Sequence, residues 1–154
     1  MRISSRCEYG LRAMVYLAGH DDGRPVPLPE IAAGENIPAP FLERILARLR
    51  ESGLVKATRG VSGGYQLARP AGDVAVGEVV TALEGPLSLV GCVPDDGACE
   101  RAESCASRVV WRRLDSAISG ALNSITLDDL TRDGKRAGRV CAEDPSPKRE
   151  AVSP

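Results

Sequence analysis

A mostly α fold carrying one small β-hairpin wing follows from three features of this 154-residue sequence. Apolar residues recur at helical spacing in several segments. Two short strand-like runs, LVKAT and GYQLA, flank the glycine-rich RGVSGG. Ahead of them, two short helical segments are joined by AGENIP. That order is a winged helix-turn-helix, and the amphipathic segment further on adds a long dimerisation helix.

The elements follow in order. Residues 5–19 read as a helix, with Ser5 and Glu8 at capping-box spacing and Leu11, Met14, Val15 and Ala18 on one stripe. GHDDGRPVP is a turn and a short extended segment. A brief helix spans about Pro29 to Ala33, stopped by Gly34. In PAPFLERILARLRESG, Pro40 sits in the first turn, Leu42, Ile45, Leu46 and Leu49 share a face, and Gly53 supplies the stop. Glu43, Arg44, Ala47 and Arg48 project from its other faces. The hairpin comes next, with Arg59 at its shoulder, placed for a phosphate or minor-groove contact.

VAVGEVVTALEG is a further helix ending at Gly85. A polar loop with three cysteines follows, CVPDDGACERAESC. SRVVWRRLDSAISGALNSI then places Val110, Leu114, Ala117, Ile118 and Ala121 at helical spacing, a seam too apolar for a small domain to cover alone. TLDDL opens a last short helix capped by Thr126. The expected organisation is a winged domain over 1–85, a cysteine-rich loop over 86–106, a dimerisation helix and short C-terminal helix over 107–131, and a disordered tail over 132–154.

Net charge is −1, so no global basic field marks a nucleic-acid partner. Locally the balance differs. Ile37–Pro70 carries six bases against two acids, whereas Cys92–Cys105 carries four acids against Arg101 alone. A basic face and an acidic thiol loop point to two separate tasks. One Phe, one Trp and three Tyr leave little for stacking on bases or sugars. A signal-peptide core and a membrane-length apolar run are both lacking, so a cytoplasmic protein without a membrane partner is expected. In that compartment clustered cysteines favour metal or redox chemistry over structural disulfides. The sequence has no C-x-x-C, no nucleotide-binding glycine pattern and no Cys–His pair, which argues against an enzyme.

MRISSRCEYGLRAMVYLA, PVPLPEIA, FLERILARLRESGLVKATRGVSGGYQLARP, VAVGEVVTALEG, the spaced cysteines, VVWRRL and SITLDDL follow one another in a familiar order. From Met1 to about Leu130 the chain resembles the iron–sulfur-cluster-sensing winged-helix transcriptional regulators, the IscR/NsrR-like family. RG followed by GGY in the wing, taken with the three-cysteine loop, makes the resemblance specific. It implies a homodimeric DNA-binding regulator, expected to be a repressor, on a roughly palindromic double-stranded operator. Operator affinity would be set by an iron–sulfur cluster that senses redox state, nitric oxide or iron–sulfur supply. Phe41, Glu43, Arg44 and Arg59 fall where family members contact DNA. Glu43 suits cytosine N4, while Arg44 and Arg59 suit bases or phosphates.

The C-x6-C-x5-C spacing offers soft thiolates to iron or zinc. The resemblance assigns Cys92, Cys99 and Cys105 as three cluster ligands. IscR-like members take a fourth from a histidine three residues after the last cysteine, and here Arg108 stands there. NsrR-like members use a carboxylate near the start of the first helix, where this chain has Glu8, and in a dimer that helix can come from the other subunit. Cys7 is the rival, one step round the same helix. The sole histidine, His20, reads as a helix-end surface residue, and Cys141 as a free thiol in the tail. Cluster type, 2Fe–2S or 4Fe–4S, stays open. A structural zinc or a thiol–disulfide switch at the same loop are the alternatives.

Overall fold

The computed structural model describes residues 3–86, 89, 90 and 105–141, with side chains as far as Gly134. Helix α1 (Ser5–Gly19) starts from Ser4, whose extended backbone (φ −74°, ψ 155°) lets its hydroxyl oxygen accept from the Cys7 amide at 3.3 Å. The cap therefore lies one residue before Ser5, and Glu8 has no capping duty. Ala13, Met14 and Leu17 turn one side of α1 into the core. At the other end the His20 amide donates to Leu17 O, and its ring stacks on Tyr16 at 4.2 Å between centroids. His20 is exposed, the surface role expected of it.

Helix α2 (Leu28–Glu35) runs past the stop expected at Gly34 and ends at Asn36 in the left-handed conformation (φ 50°, ψ 50°). Gly34 has a different role. A Cβ there would sit 2.4 Å from the Tyr16 ring, so its lack of a side chain lets α2 close on α1. Helix α3 (Ala39–Glu51) matches its sequence pattern closely. Leu42, Ile45, Leu46 and Leu49 are all buried, each stabilising the fold by about 1.5–3 kcal/mol. The stop falls at Gly53, whose φ of 72° suits a residue without Cβ.

Strands β1 (Val55–Thr58) and β2 (Gly64–Leu67) pair antiparallel, from Val55 opposite Leu67 to Thr58 opposite Gly64. The extended segment before α2 joins them through a bridge between Val26 and Tyr65, with both N–H to O=C distances at 2.8 Å. Gly63 and Gly64 are set by space. A Cβ on Gly63 would lie 2.3 Å from Thr58 O, and one on Gly64 2.3 Å from Val26 O. The wing is thus anchored to the backbone just before α2.

After a 3-10 turn at Ala71–Asp73, α4 (Val76–Glu84) packs Val79 and Leu83 into the same core. Helix α5 (Ala106–Asn123) leads to α6 (Leu127–Cys141), and the turn between them returns to the winged domain. Val76 N–H donates to Ile125 O at 2.9 Å and Leu127 N–H to Val74 O at 3.0 Å. Leu127 is wholly buried in the core that α1 to α4 form. Thr126 caps α6 reciprocally with Asp129. The Asp129 amide donates to Thr126 Oγ1 at 3.2 Å, and the Thr126 amide to Asp129 Oδ2 at 3.0 Å. The Thr126 amide, and then its hydroxyl at 2.7 Å, donate to Asp129 Oδ2 and hold that carboxyl below its ordinary range.

One expectation needs correction. Helix α6 continues to Cys141, so residues 132–141 are helical where composition reads as a disordered tail. Arg132 pairs with Asp128 one turn earlier, and Lys135, Arg136, Ala137 and Arg139 are good helix formers despite Gly134 and Gly138. Residues 142–154 lie outside the described residues.

Candidate nucleic-acid interface and ligand residues

The outward side of α3 and the wing bring most of the predicted DNA-contacting residues to the surface. Glu43 and Arg44 are exposed, and among the described residues Arg44 Nε donates only to its own helix, to Pro40 O at 3.4 Å. Arg48 pairs with Glu51 at 3.7 Å and donates to Ala82 O at 3.2 Å, which turns it toward α4. Phe41 is half-buried. Its ring meets Tyr9 edge-on, with centroids 5.7 Å apart and planes at 88°. Part of Phe41 therefore orients the first turn of α3, and only the remainder faces out.

Arg12 completes this arrangement, and the sequence reading passes over it. Its guanidinium lies 5.6 Å from the Tyr9 ring centre, and Nε donates to the Glu35 carboxylate at 3.0 Å. A second nitrogen donates to the Glu35 carbonyl at the end of α2. Arg12 and Tyr9, one turn apart on α1, thus hold both sides of the helix-turn-helix connection. Arg12 is the one charged residue between Tyr9 and Gly19, and that was the available signal.

Across residues 52–72 the sequence carries Lys56, Arg59 and Arg69 and no acid. Arg69 is paired with Glu78 in the first turn of α4, whereas Lys56 and Arg59 are exposed and make no hydrogen bond or ion pair among the described residues. A free guanidinium on an anchored wing is an available phosphate or minor-groove contact. Arg59→Ala should weaken operator binding by roughly tenfold and lower the salt slope of binding by about one, read by fluorescence anisotropy over a salt series. Unchanged affinity at physiological salt would remove the wing from the interface.

The ligand candidates separate by burial. Cys7 is sealed in a small cluster with Val76 and Val80 and is 2% exposed. Burial first, then the Glu84 carboxylate, pushes its thiol above the ordinary range, with Arg6 opposing weakly. Glu84 also accepts a hydrogen bond from the Ser4 hydroxyl, which ties the start of α1 to the end of α4. Glu8, about 100° further round the helix, is exposed, and its carboxylate makes no hydrogen bond or ion pair among the described residues. Cys105 is half-buried at the N-cap of α5, with Sγ 3.1 Å from Ser107 Oγ. Cys92 and Cys99 lie outside the described residues, as does most of the loop between α4 and α5. Among the described residues no group of three or more His, Cys, Asp or Glu gathers as a metal site.

Arg108 is buried, and its amide donates to Cys105 O at 3.2 Å. A guanidinium has donors and no acceptor, so this position supplies no ligand. The face of α5 that bears Val110, Leu114, Ala117 and Ala121 stays exposed, while Leu122 on another face packs against the Cys7 cluster. Val110 is 54% and Leu114 43% exposed. No helix among the described residues is long and apolar enough to cross a membrane.

Comparison with known proteins decides the family. The model for Rrf2, described as iron-dependent transcriptional regulators, matches residues 3–133. This chain belongs to the Rrf2 family. The HTH-type transcriptional regulator IscR of Citrobacter koseri is 38% identical to it over 130 residues, which cover 84% of this chain and 79% of that protein. IscR of Salmonella newport matches to the same extent. Among solved structures, T. potens IscR superposes with a TM-score of 0.73 at 36% identity, covering 89% of this chain and 90% of its own. CymR of B. subtilis, a global cysteine regulator, superposes with a TM-score of 0.73 at 35% identity, covering 86% and 97%. The winged helix-turn-helix expected from sequence is thereby established. These Rrf2-family relatives are transcriptional regulators rather than enzymes, as the sequence leads one to expect.

Proposed function

We propose that this Rrf2-family chain is a homodimeric transcriptional repressor whose operator affinity depends on an iron–sulfur cluster. The observation that carries the DNA-reading half is the joint exposure of Glu43, Arg44, Lys56 and Arg59 on an anchored winged helix. Glu43 and Arg44 would enter the major groove while Arg59 follows the backbone or minor groove. The exposed stripe of α5 supports a two-fold partner, and two copies would read a roughly palindromic site.

Cys92, Cys99, Cys105 and Glu8 would hold the cluster. Three thiolates and one carboxylate fit iron in kind, and Glu8 is favoured over Cys7 because its carboxylate is exposed and unengaged while the Cys7 thiol is buried, which disfavours the thiolate. Such a cluster supplies reactivity toward oxidant, nitric oxide or iron shortage, with the carboxylate corner the weakest held. The chain's own part is mechanical. Glu8 lies directly before Tyr9, which bears on Phe41, and one turn before Arg12, which holds the end of α2. Engaging or releasing Glu8 would therefore bear on the first turn of α3, and in sequence the cysteine loop joins α4 to α5.

Anaerobic purification of the full chain, with iron and acid-labile sulfide measured, tests the cluster. Iron and sulfide together support it. A colourless protein with stoichiometric zinc and no sulfide would leave DNA binding intact and remove the sensor chemistry. A second reading, a thiol–disulfide switch at the same cysteines, is favoured by the likeness to CymR, named a cysteine regulator. Free-thiol titration of metal-free protein before and after mild oxidation separates it from the first. A reversible loss of thiols that changes operator affinity without iron would favour the switch.

A further inference from the structure

We infer that Val61, at the tip of the wing, reads the minor groove and disfavours G·C pairs beneath it. This rests on the DNA-binding reading. A single exposed aliphatic side chain is ordinary on a protein surface, but three observations set this one apart. Val61 is fully exposed, at 108% of the reference value, where hairpin tips usually take Gly, Asn, Asp or Ser. Its loop is fixed. Gly60 adopts φ 111°, the Gly63 amide donates to Gly60 O at 3.0 Å, and Gly63 and Gly64 lie against neighbouring backbone. Finally, the segment 52–72 around it bears bases and no acid, a match for an anionic partner rather than an apolar protein surface.

A β-branched side chain on a stiff tip has few rotamers to lose on contact. The minor groove is about 6 Å wide, enough for an isopropyl group. There A·T and T·A pairs present only acceptors, whereas G·C adds the guanine N2 amino donor. Val61 offers no acceptor for that amino group, which projects from the groove floor and would crowd the valine methyls, whereas A·T pairs leave that space open. Arg59, two residues away, favours the same sequences, because narrow A·T tracts concentrate negative potential. The two side chains would read the groove together, one by charge and one by shape.

The test begins with a duplex enriched from a random-sequence pool by the full-length wild-type protein. Each pair of that duplex is then placed in turn as A·T, G·C and inosine·C, the last having the major-groove face of G·C without the minor-groove amino group. At the pairs under the wing, wild type is expected to bind A·T and inosine·C alike and G·C roughly tenfold more weakly. Val61→Gly and Val61→Thr, which touch no packed residue, should fold normally and lose most of that discrimination. Equal binding of all three pairs by wild type overturns the inference, and so does discrimination that survives in Val61→Gly. Uniform weakening of all duplexes by Val61→Gly, without change in preference, overturns it as well. If Arg59→Ala weakens binding while both Val61 variants behave as wild type, DNA reading by the wing stands and the role of Val61 falls. Failure to enrich any duplex would overturn DNA reading itself, and this inference with it.

Discussion

Gly64→Ala is expected to destabilise the protein by about 2 kcal/mol or more and to reduce operator binding further than its effect on folding. The added Cβ would lie 2.3 Å from Val26 O, 2.5 Å from Val26 C and 2.9 Å from Pro27 N. All three are backbone atoms, so no rotamer change relieves the contact. Separation of the strands would break the two 2.8 Å hydrogen bonds between Val26 and Tyr65, each a net contribution of about 1 kcal/mol. The wing would then come free of the segment that leads into α2, and Arg59 would lose its fixed place on it. Urea unfolding followed by circular dichroism measures the first effect, and anisotropy on folded protein the second. Gly72→Ala is the control, since nothing lies within 4 Å of its Cβ position. Equal stability of the two variants would show that the wing is not anchored in this way.

The same glycines show what the sequence could and could not convey. RGVSGG marks a turn on composition alone, and the strands on either side fall within a residue of their expected places. The stripe of Leu42, Ile45, Leu46 and Leu49 was equally legible, because one helical face both sets the pattern and meets the core. Long-range contacts were not. Gly34 reads as a helix stop, yet it lies inside α2 because Tyr16, eighteen residues earlier, needs the space. Ser4 and Ser5 are both good caps, and only the backbone conformation of Ser4 decides between them. The Arg12–Glu35 contact joins residues 23 positions apart, beyond any local pattern. Helix α6 outran its expected end because glycine-interrupted basic sequence resembles a tail locally, while the Asp128–Arg132 pair and the anchor at Leu127 favour helix.

The candidate site was legible in kind more than in place. Spacing and resemblance named the thiols, and the structure adds a contrast that sequence could not supply: Cys7 sealed, Glu8 open. From that contrast comes the second large effect. Glu8→Ala should accelerate iron loss under chelator challenge by at least roughly tenfold, because even changes behind a metal's direct ligands cost about ten- to a hundredfold in affinity. Glu8→Asp should retain part of the stability of the loaded form. Cys7→Ala should leave iron retention as in wild type, since its thiol is packed against Val76 and Val80 and burial disfavours the thiolate. Anaerobic absorption spectra over a time course, with iron released to a chromogenic chelator, give the comparison. The reverse order, with Cys7→Ala labile and Glu8→Ala stable, would reassign the fourth position to the thiol.

Central to all of this is the link between the thiol loop and DNA affinity. The most direct measurement compares operator affinity of one anaerobic preparation before and after its iron and sulfide are removed, at fixed salt, on the duplex enriched by the wild-type protein. A change of at least roughly tenfold, lost in Glu8→Ala and accompanied by an unchanged far-ultraviolet spectrum, is the predicted result. Equal affinity of the loaded and stripped protein would contradict it and leave a DNA-binding regulator whose cysteines do not govern its operator.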